Sequence, residues 1–374
     1  MAGRSPAPAG VTVRQFSRAD VEAGRWLIYR AYAEALLRLY GPGAMEHYEV
    51  RSPEFMELYL ARDPAGCLAA EAPDGTLVGV VFCFAWGEAG WFGSLAVAPE
   101  WQGRGVGQLL AASAIEYLSS RGCTRLGLET WPDDPLVGHL YRKLGFQPAR
   151  LTVKLSRAVS AGDDEDMGVA SPRQALHPER PSAAGEHAPD AARPGADAPR
   201  PPWSMQWLTA RSGGDVERAV DDVQDVAQAL HAADPGQARI DYRTEVRATV
   251  CAGWAEVAVL REPGGRAAAV ALANVRRPSG ARAGALDLRL LLVRPAPHDE
   301  AALDAVLQAC QQRAAALGMP AMTCDVNLRY TRAARLLRRQ GFRPVFRLIR
   351  MERPRPGVDL LGRSALIECV RWAG

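Results

Sequence analysis

Three observations predict a mixed α/β protein built from two similar domains in tandem. Apolar periodicity orders residues 11–156 as β-α-α-β-β-β-α-β-α-β. The same order recurs after residue 203. Between them, residues 157–202 contain eight prolines, four glycines and no aromatic residue, a composition unlike either flank. The chain has 374 residues, a length that fits two domains. Hydrophobic residues at 48% and charged residues at 23% can fill a sizeable core. A formal charge of +3 lacks the basic footprint of a nucleic-acid binder.

In the first copy, Val11 to Phe16 alternates as a strand does, and Asp20 to Tyr40 follows with helical spacing. Asp20 is a candidate N-cap, and Gly41-Pro42-Gly43 a stop. Ser52-Pro53 opens a shorter helix to about Ala61. Cys67 to Ala72 and Thr76 to Trp86 flank Pro73-Asp74-Gly75, a hairpin signal. Trp91 to Val97 is the next strand, and a long helix runs from about Gly105 to Ser120. Thr124 to Thr130 is a strand, Asp134 to Leu144 a helix, and Ala149 to Leu155 a closing strand. In the second copy, strands are expected at Met205–Ala210, Trp254–Glu262, Ala267–Arg276, Leu286–Arg294, Pro320–Val326 and Val345–Met351. Helices are expected at Val216–Ala232, Asp299–Leu317 and Tyr330–Gln340.

The two copies share a register as well as an order. A shift of 196 residues places Leu95-Ala96-Val97 on Leu291-Leu292-Val293, Gly122 on Gly318, and Gly145-Phe146 on Gly341-Phe342. Pro99 falls on Pro295 and Pro148 on Pro344, with no gap. This is an internal duplication. The expected boundaries are a domain at 1–156, a disordered Pro/Ala-rich linker at 157–202, a second domain at 203–355 and a tail at 356–374. The linker cannot bury enough apolar surface to offset its chain entropy. Leu360, Leu361, Leu366, Val370 and Trp372 suggest that the tail forms a short amphipathic helix docked on one copy.

The apolar run Leu77 to Trp86 is well short of the ~20 residues a membrane-spanning helix needs. Residues 1–10 have no hydrophobic core of a signal peptide. Seven scattered cysteines without a C-x-x-C pair fit a reducing cytoplasm, and the six histidines do not cluster with them as metal ligands would. No metal is expected, and neither a nucleic acid nor a membrane is an expected partner.

The chemistry concentrates where a strand meets a helix, at Gln102-Gly103-Arg104-Gly105-Val106-Gly107. Glycines let the backbone turn tightly and present successive N–H groups. The helix that follows turns its positive end to the same place, which makes an anion site suited to a pyrophosphate. The spacing is neither that of a P-loop nor G-x-G-x-x-G. Downstream lies Leu140-Tyr141-Arg142-Lys143-Leu144-Gly145-Phe146.

Together these two motifs resemble the GNAT superfamily of acyl-CoA-dependent N-acyltransferases, over about residues 11–156. The resemblance implies an N-acyltransferase moving an acetyl group from acetyl-CoA, its cosubstrate, to an amine. It implies that Leu95, Ala96 and Val97 lie on a strand splayed from its neighbour, with the backbone of Leu95 and Val97 pairing with pantetheine. It implies that the amides of Gln102, Gly103, Arg104, Gly105, Val106 and Gly107 hold the pyrophosphate, that Tyr141 protonates the departing thiolate, and that Asp134 stands at a pantetheine-contact position where the family often has Asn.

The reaction needs few groups. A thioester is already activated, so a neutral amine attacks it directly. Tyr141 is the expected general acid; its alternative role is helix packing on the sheet. Glu129, near the end of its strand, is the expected general base, with Glu88, Asp133 and His139 as rivals and a solvated carboxylate as the alternative for Glu129. Trp26, Tyr29, Tyr32, Tyr40, His47, Tyr48, Phe55 and Tyr59 form either an aromatic acceptor wall or core packing. No acidic cluster accompanies them, which disfavours a polycationic acceptor.

The second copy is expected to be degenerate. The shift brings Gln102–Gly107 onto His298-Asp299-Glu300-Ala301-Ala302-Leu303, which has no glycine, and Tyr141 onto Leu337. Pro297 removes a donor, and Asp299 and Glu300 would repel an anion. The copies are expected to pack on each other. A non-catalytic acyl-CoA-binding regulator and an interaction scaffold are the alternatives to an enzyme.

Overall fold

The computed structural model describes residues 10–46, 48–159, 202–210, 213–234, 238–276, 282–354 and 361–370. The first half runs β1 (Thr12–Gln15), α1 (Val21–Tyr40), α2 (Pro53–Arg62), β2 (Cys67–Glu71), β3 (Leu77–Trp86), β4 (Ala89–Val97), α3 (Val106–Ser120), β5 (Arg125–Thr130), α4 (Pro135–Lys143) and β6 (Gln147–Ala158). The second runs β7 (Ser204–Leu208), α5 (Gly213–Ala233), α6 (Arg243–Cys251), β8 (Ala255–Arg261), β9 (Ala267–Arg276), β10 (Arg282–Val293), α7 (Asp299–Ala316), β11 (Ala321–Asn327), α8 (Thr331–Arg339), β12 (Arg343–Glu352) and β13 (Glu368–Val370). The shift of 196 carries α4 onto α8 residue for residue, as it does the first residues of β5 and β6 onto those of β11 and β12.

Local chemistry accounts for the ends of these elements. Ser52 accepts a hydrogen bond from the Phe55 amide and caps α2. Asp20 precedes α1, but its carboxylate is taken by Arg14 and by the Ser17 amide and hydroxyl. The sequence reading passed over α6, whose polar positions Arg243, Thr244, Glu245 and Arg247 hide its apolar face. The expected tail helix is corrected: Glu368–Val370 is a strand paired with β10, because its backbone completes an edge that β10 leaves open. Leu360 and Trp372 lie outside the described residues, as does the expected linker over 160–201; its first two residues extend β6.

All the strands among the described residues form one sheet in the order β1-β2-β3-β4-β5-β12-β6-β11-β10-β9-β8-β7, with β13 beside β10. The final strands of the two halves are exchanged. β12 pairs with β5 of the first half, and β6 pairs with β11 of the second. β6 and β12 then pair antiparallel with each other, from Arg343 opposite Ser156 to Glu352 opposite Gln147. An ion pair marks each crossing. Arg350 on β12 binds Glu129 on β5 at 2.9 Å. At the position related by the shift, Lys154 on β6 lies 3.8 Å from Asp325 on β11.

One apolar cluster runs across both halves on the sheet face covered by α1, α2, α5 and α6. It includes Leu27, Ile28, Met56 and Phe84 from the first half and Val216, Val220, Val246 and Leu290 from the second. The opposite face carries a separate cluster under each half, against α3 and α7. Within the shared cluster, Glu245 of α6 is 2% exposed and binds Arg62 of α2 at 3.0 Å and Arg289 of β10 at 2.6 Å. Burial opposes its charge, but the two guanidiniums outweigh that and hold its carboxyl below the ordinary range.

Glu245→Ala leaves two buried guanidiniums facing each other across the halves. The expected loss is about 3–5 kcal/mol, measured by urea unfolding near neutral pH. The ion-pair contribution is present above the ordinary carboxyl pKa, and it is lost as pH falls through the depressed value.

Candidate active site

The first half opens a cleft between β4 and β5. The two strands pair in parallel only from Ala89–Arg125 to Trp91–Gly127. At that last pair the Trp91 ring lies over Gly127, where a Cβ would come within 2.1 Å of it. On its other edge, β4 faces β3 with Gly93 opposite Phe82 and Ala96 opposite Val80, so Ser94 and Leu95 together face one residue. This is a β-bulge, with Ser94 at φ 52°, and it turns β4 away from β5. Ala98 donates to Val78. By the alternation of an antiparallel ladder, Val97 therefore directs its own N–H and C=O toward the cleft. The Val97 carbonyl accepts from Gln102 Nε2 at 3.2 Å. Ala96 is buried against β3, and the Leu95 side chain packs near Gly107.

The glycine turn closes one end of the cleft. Gly103 and Gly105 have φ of 71° and 89°, and Gly105 is the residue before α3. Among the described residues, no acceptor meets the N–H groups of Gly103, Arg104, Gly105, Val106 or Gly107 with hydrogen-bond geometry, while the Leu109 amide already bonds Gly105. Five amides at the positive end of a fifteen-residue helix form an anion cradle. Arg104 stacks over Trp101, with the guanidinium 5.1 Å from the ring centre.

Tyr141 stands on α4 at the cleft wall, 6% exposed, in edge contact with Phe92 and Phe146. Burial, then the neighbouring Tyr32 and Asp134, push its hydroxyl well above the ordinary tyrosine range, so it holds its proton. Among the described residues its hydroxyl has no hydrogen-bond partner.

Other expected site residues are differently engaged. The Asp134 side chain is fully enclosed; it caps α4 through the Leu136 and Val137 amides and binds Arg38 of α1 at 2.9 Å. The Glu129 side chain is also fully enclosed, with one oxygen accepting from Thr152 at 2.5 Å and from Arg350. That oxygen is thus tied to β6 and β12, while the other, Oε2, is buried with no hydrogen-bond partner among the described residues. Asp133 pairs with Arg347, Glu88 binds the Arg239 amide, and His139 is exposed.

The aromatic residues of α1 and the following loop divide between the expected roles. Trp26 meets Tyr29 edge-on, and Tyr29 stacks on Tyr48 at 5.2 Å. Tyr32 meets Trp131, and Tyr59 stacks on Phe82 in the core. Tyr40 lies near Asp133 and Arg347. His47 lies outside the described residues. Two residues were missed by the sequence reading. Arg51 donates to Ser94 Oγ at 2.9 Å, and Ser94 also bonds the Tyr59 hydroxyl at 3.2 Å. A lone Arg between aromatic residues was a visible signal; the bulge that presents Ser94 left no sequence mark.

The second half has the same frame, filled. β10 and β11 pair from Leu286–Met322 to Leu288–Cys324 and then part. β13 occupies the gap, with Leu290, Leu291 and Leu292 opposite Val370, Cys369 and Glu368, and the Val293 amide bonded to Ile367. These β10 positions correspond to 94–97 in the first half. Asp299 and Glu300 open α7, and both bind Arg332. Leu337 is fully buried where the first half has Tyr141.

Residues 30–146 match the family model for the acetyltransferase (GNAT) family. A mycothiol acetyltransferase of Cellulomonas flavigena is 31% identical over 156 residues, 38% of this chain and 42% of that protein. The chain thus spans less than half the length of that relative. Two solved structures are similar along almost the whole chain. A putative acetyltransferase of Pyrococcus horikoshii shares 16% identity at a TM-score of 0.58, covering 99% of this chain and 98% of its own. A tandem GNAT protein from the clavulanic acid biosynthesis pathway shares 14% identity at a TM-score of 0.55, covering 91% of this chain and 98% of its own. The match to that family model thus lies within the amino-terminal half, and the whole chain has the fold of a tandem GNAT protein.

Glu368 on β13 is 4% exposed, and burial pushes its carboxyl above the ordinary range despite Tyr330 and nearby arginines. The folded state binds this proton more tightly, so the penalty grows as pH rises above the ordinary carboxyl value. Glu368→Gln is expected to raise Tm at pH 8 and to leave it nearly unchanged at pH 4.5, read by calorimetry.

Proposed function

We propose that the first half transfers an acetyl group from acetyl-CoA to an amine by direct attack. The observation that carries this reading is the cradle of five amides from Gly103 to Gly107, without an acceptor among the described residues, at the mouth of a splayed strand pair. The cradle receives the pyrophosphate. The pantetheine arm runs along β4 and pairs with Leu95 and Val97 as an added strand, displacing Gln102 from the Val97 carbonyl. That course brings the thioester to the bulge at Ser94, between Tyr141 and the aromatic side of α1.

The amine nitrogen attacks the thioester carbon as a neutral base. Collapse of the tetrahedral adduct breaks the C–S bond, and the sulfur takes the Tyr141 proton. Burial keeps this phenol protonated, so the proton is in place when the sulfur leaves. The amine's own proton leaves to water, which then restores the phenol. Asp134 positions α4, and hence Tyr141, by capping the helix against Arg38. Glu129 fixes β12 and β6 beneath the cleft. The second half binds no acyl-CoA, since its cradle carries carboxylates and its gap holds β13. Six of the seven cysteines are buried free thiols, a pattern suited to a reducing cytoplasm.

Calorimetry is expected to find one acetyl-CoA site per chain. Gly105→Val forces a side chain into a left-handed backbone and re-aims the amides, so affinity should fall roughly 10- to 100-fold. Absence of binding in the unaltered protein would overturn the reading. Tyr141→Phe is expected to lower kcat by roughly 10²–10⁴ with acetyl-CoA affinity unchanged, measured by thiol release.

A further inference from the structure

Arg51 is a charge at the cleft with no carboxylate partner among the described residues. The three arginines of α1 each have a carboxylate: Arg25 has Glu22, Arg30 has Glu100 and Arg38 has Asp134. Arg51, half-buried just before α2, has none among the described residues. Its guanidinium lies 5.8–5.9 Å from the ring centres of Tyr32, Phe55 and Tyr59. One Nη1 proton goes to Ser94 Oγ at 2.9 Å. No described residue accepts from Nε or Nη2, the edge that forms a two-toothed fork.

The position of that fork matters. Ser94 sits at the bulge, the place assigned above to the thioester end of the cosubstrate. A cation here repels an ammonium group, and π faces with a hydroxyl hold it without neutralising it. A carboxylate on the incoming molecule would supply the missing counter-charge. It would also orient the amine from a fixed anchor.

We propose that the acceptor is an amino acid, an amine bearing a carboxylate, and that Arg51 receives that carboxylate as the specificity-determining residue. This rests on the acyl-transfer reading and deepens it. The guanidinium donates from Nε and Nη2 to the two carboxylate oxygens as a bidentate pair, while the aromatic rings and Ser94 keep it flat and aimed.

The test uses the full chain, acetyl-CoA, and a panel of α- and ω-amino acids paired with their carboxamides, with free thiol as the readout. An α-amino amide has the less basic amine, so without an anion site the amide is the better acceptor. The expected result is a KM for at least one acid roughly 10- to 100-fold below that of its amide. Arg51→Met should abolish the difference and leave the affinity for acetyl-CoA unchanged, which also reports an intact fold. Arg51→Lys should restore part of the preference. If no acid is preferred over its amide, or if Arg51→Met keeps the preference, the proposal fails while acyl transfer stands. Absence of acetyl-CoA binding overturns both.

Discussion

The exchange of β6 and β12 is the constraint on which the rest of the structure depends. Each half of the chain ends on a strand that completes the other half. β5 consequently spends one edge on β12 and keeps the other free beyond Gly127. A strand held firmly on one side can stay open on the other without collapsing onto its neighbour. Glu129, Arg350 and Thr152 pin that held edge, with the Arg350 guanidinium also over the Trp91 ring at 5.2 Å. The opening of the cleft and the joining of the halves are therefore one arrangement.

The two clefts show what such an opening demands. Unpaired strand edges expose backbone donors and acceptors that need partners. In the second half the chain supplies its own: β13 pairs with β10, and Ser364 bonds the Arg329 carbonyl beside the start of α8. At the helix end, Asp299 and Glu300 use the positive pole that glycine amides leave open in the first half. A peptide strand and two carboxylates thus fill the space that an extended amide-bearing arm and a pyrophosphate would take. The filled copy is a physical template for the open one. The filled half also contributes Val220, Val246 and Leu290 to the core that both halves share.

Much of this was legible in the chain. The gap-free shift of 196 foretold matching α4 and α8, and the turns at Gly145 and Gly341 share φ 85°. Gly103 and Gly105 announced a turn that L side chains resist. The exchange of strands was not legible, because β6 and β12 are equally good partners for either half; only the competition between pairings decides. The tail misled for a similar reason. Leu366, Cys369 and Val370 have spacing that suits a helix face, but an open edge on β10 offers backbone bonds that outweigh local spacing. The Ser94 bulge was invisible, since a serine gives no sign of the left-handed backbone it adopts there.

Asp134 illustrates how a position can keep its place in a site and serve it indirectly. Its carboxylate is the meeting point of three elements: it caps α4, holds Arg38 of α1, and lies near the Tyr141 phenol. α4 has only nine residues, too short to hold its orientation alone. The cap fixes its first turn, and the Phe92–Tyr141–Phe146 contacts fix its last. Because Arg38 belongs to the same helix as Tyr32, the wall that carries Tyr141 and the wall that carries Tyr32 are tied together by this ion pair. A change in that pair would shift Tyr141 and the α1 aromatic residues relative to each other, not merely loosen a surface helix.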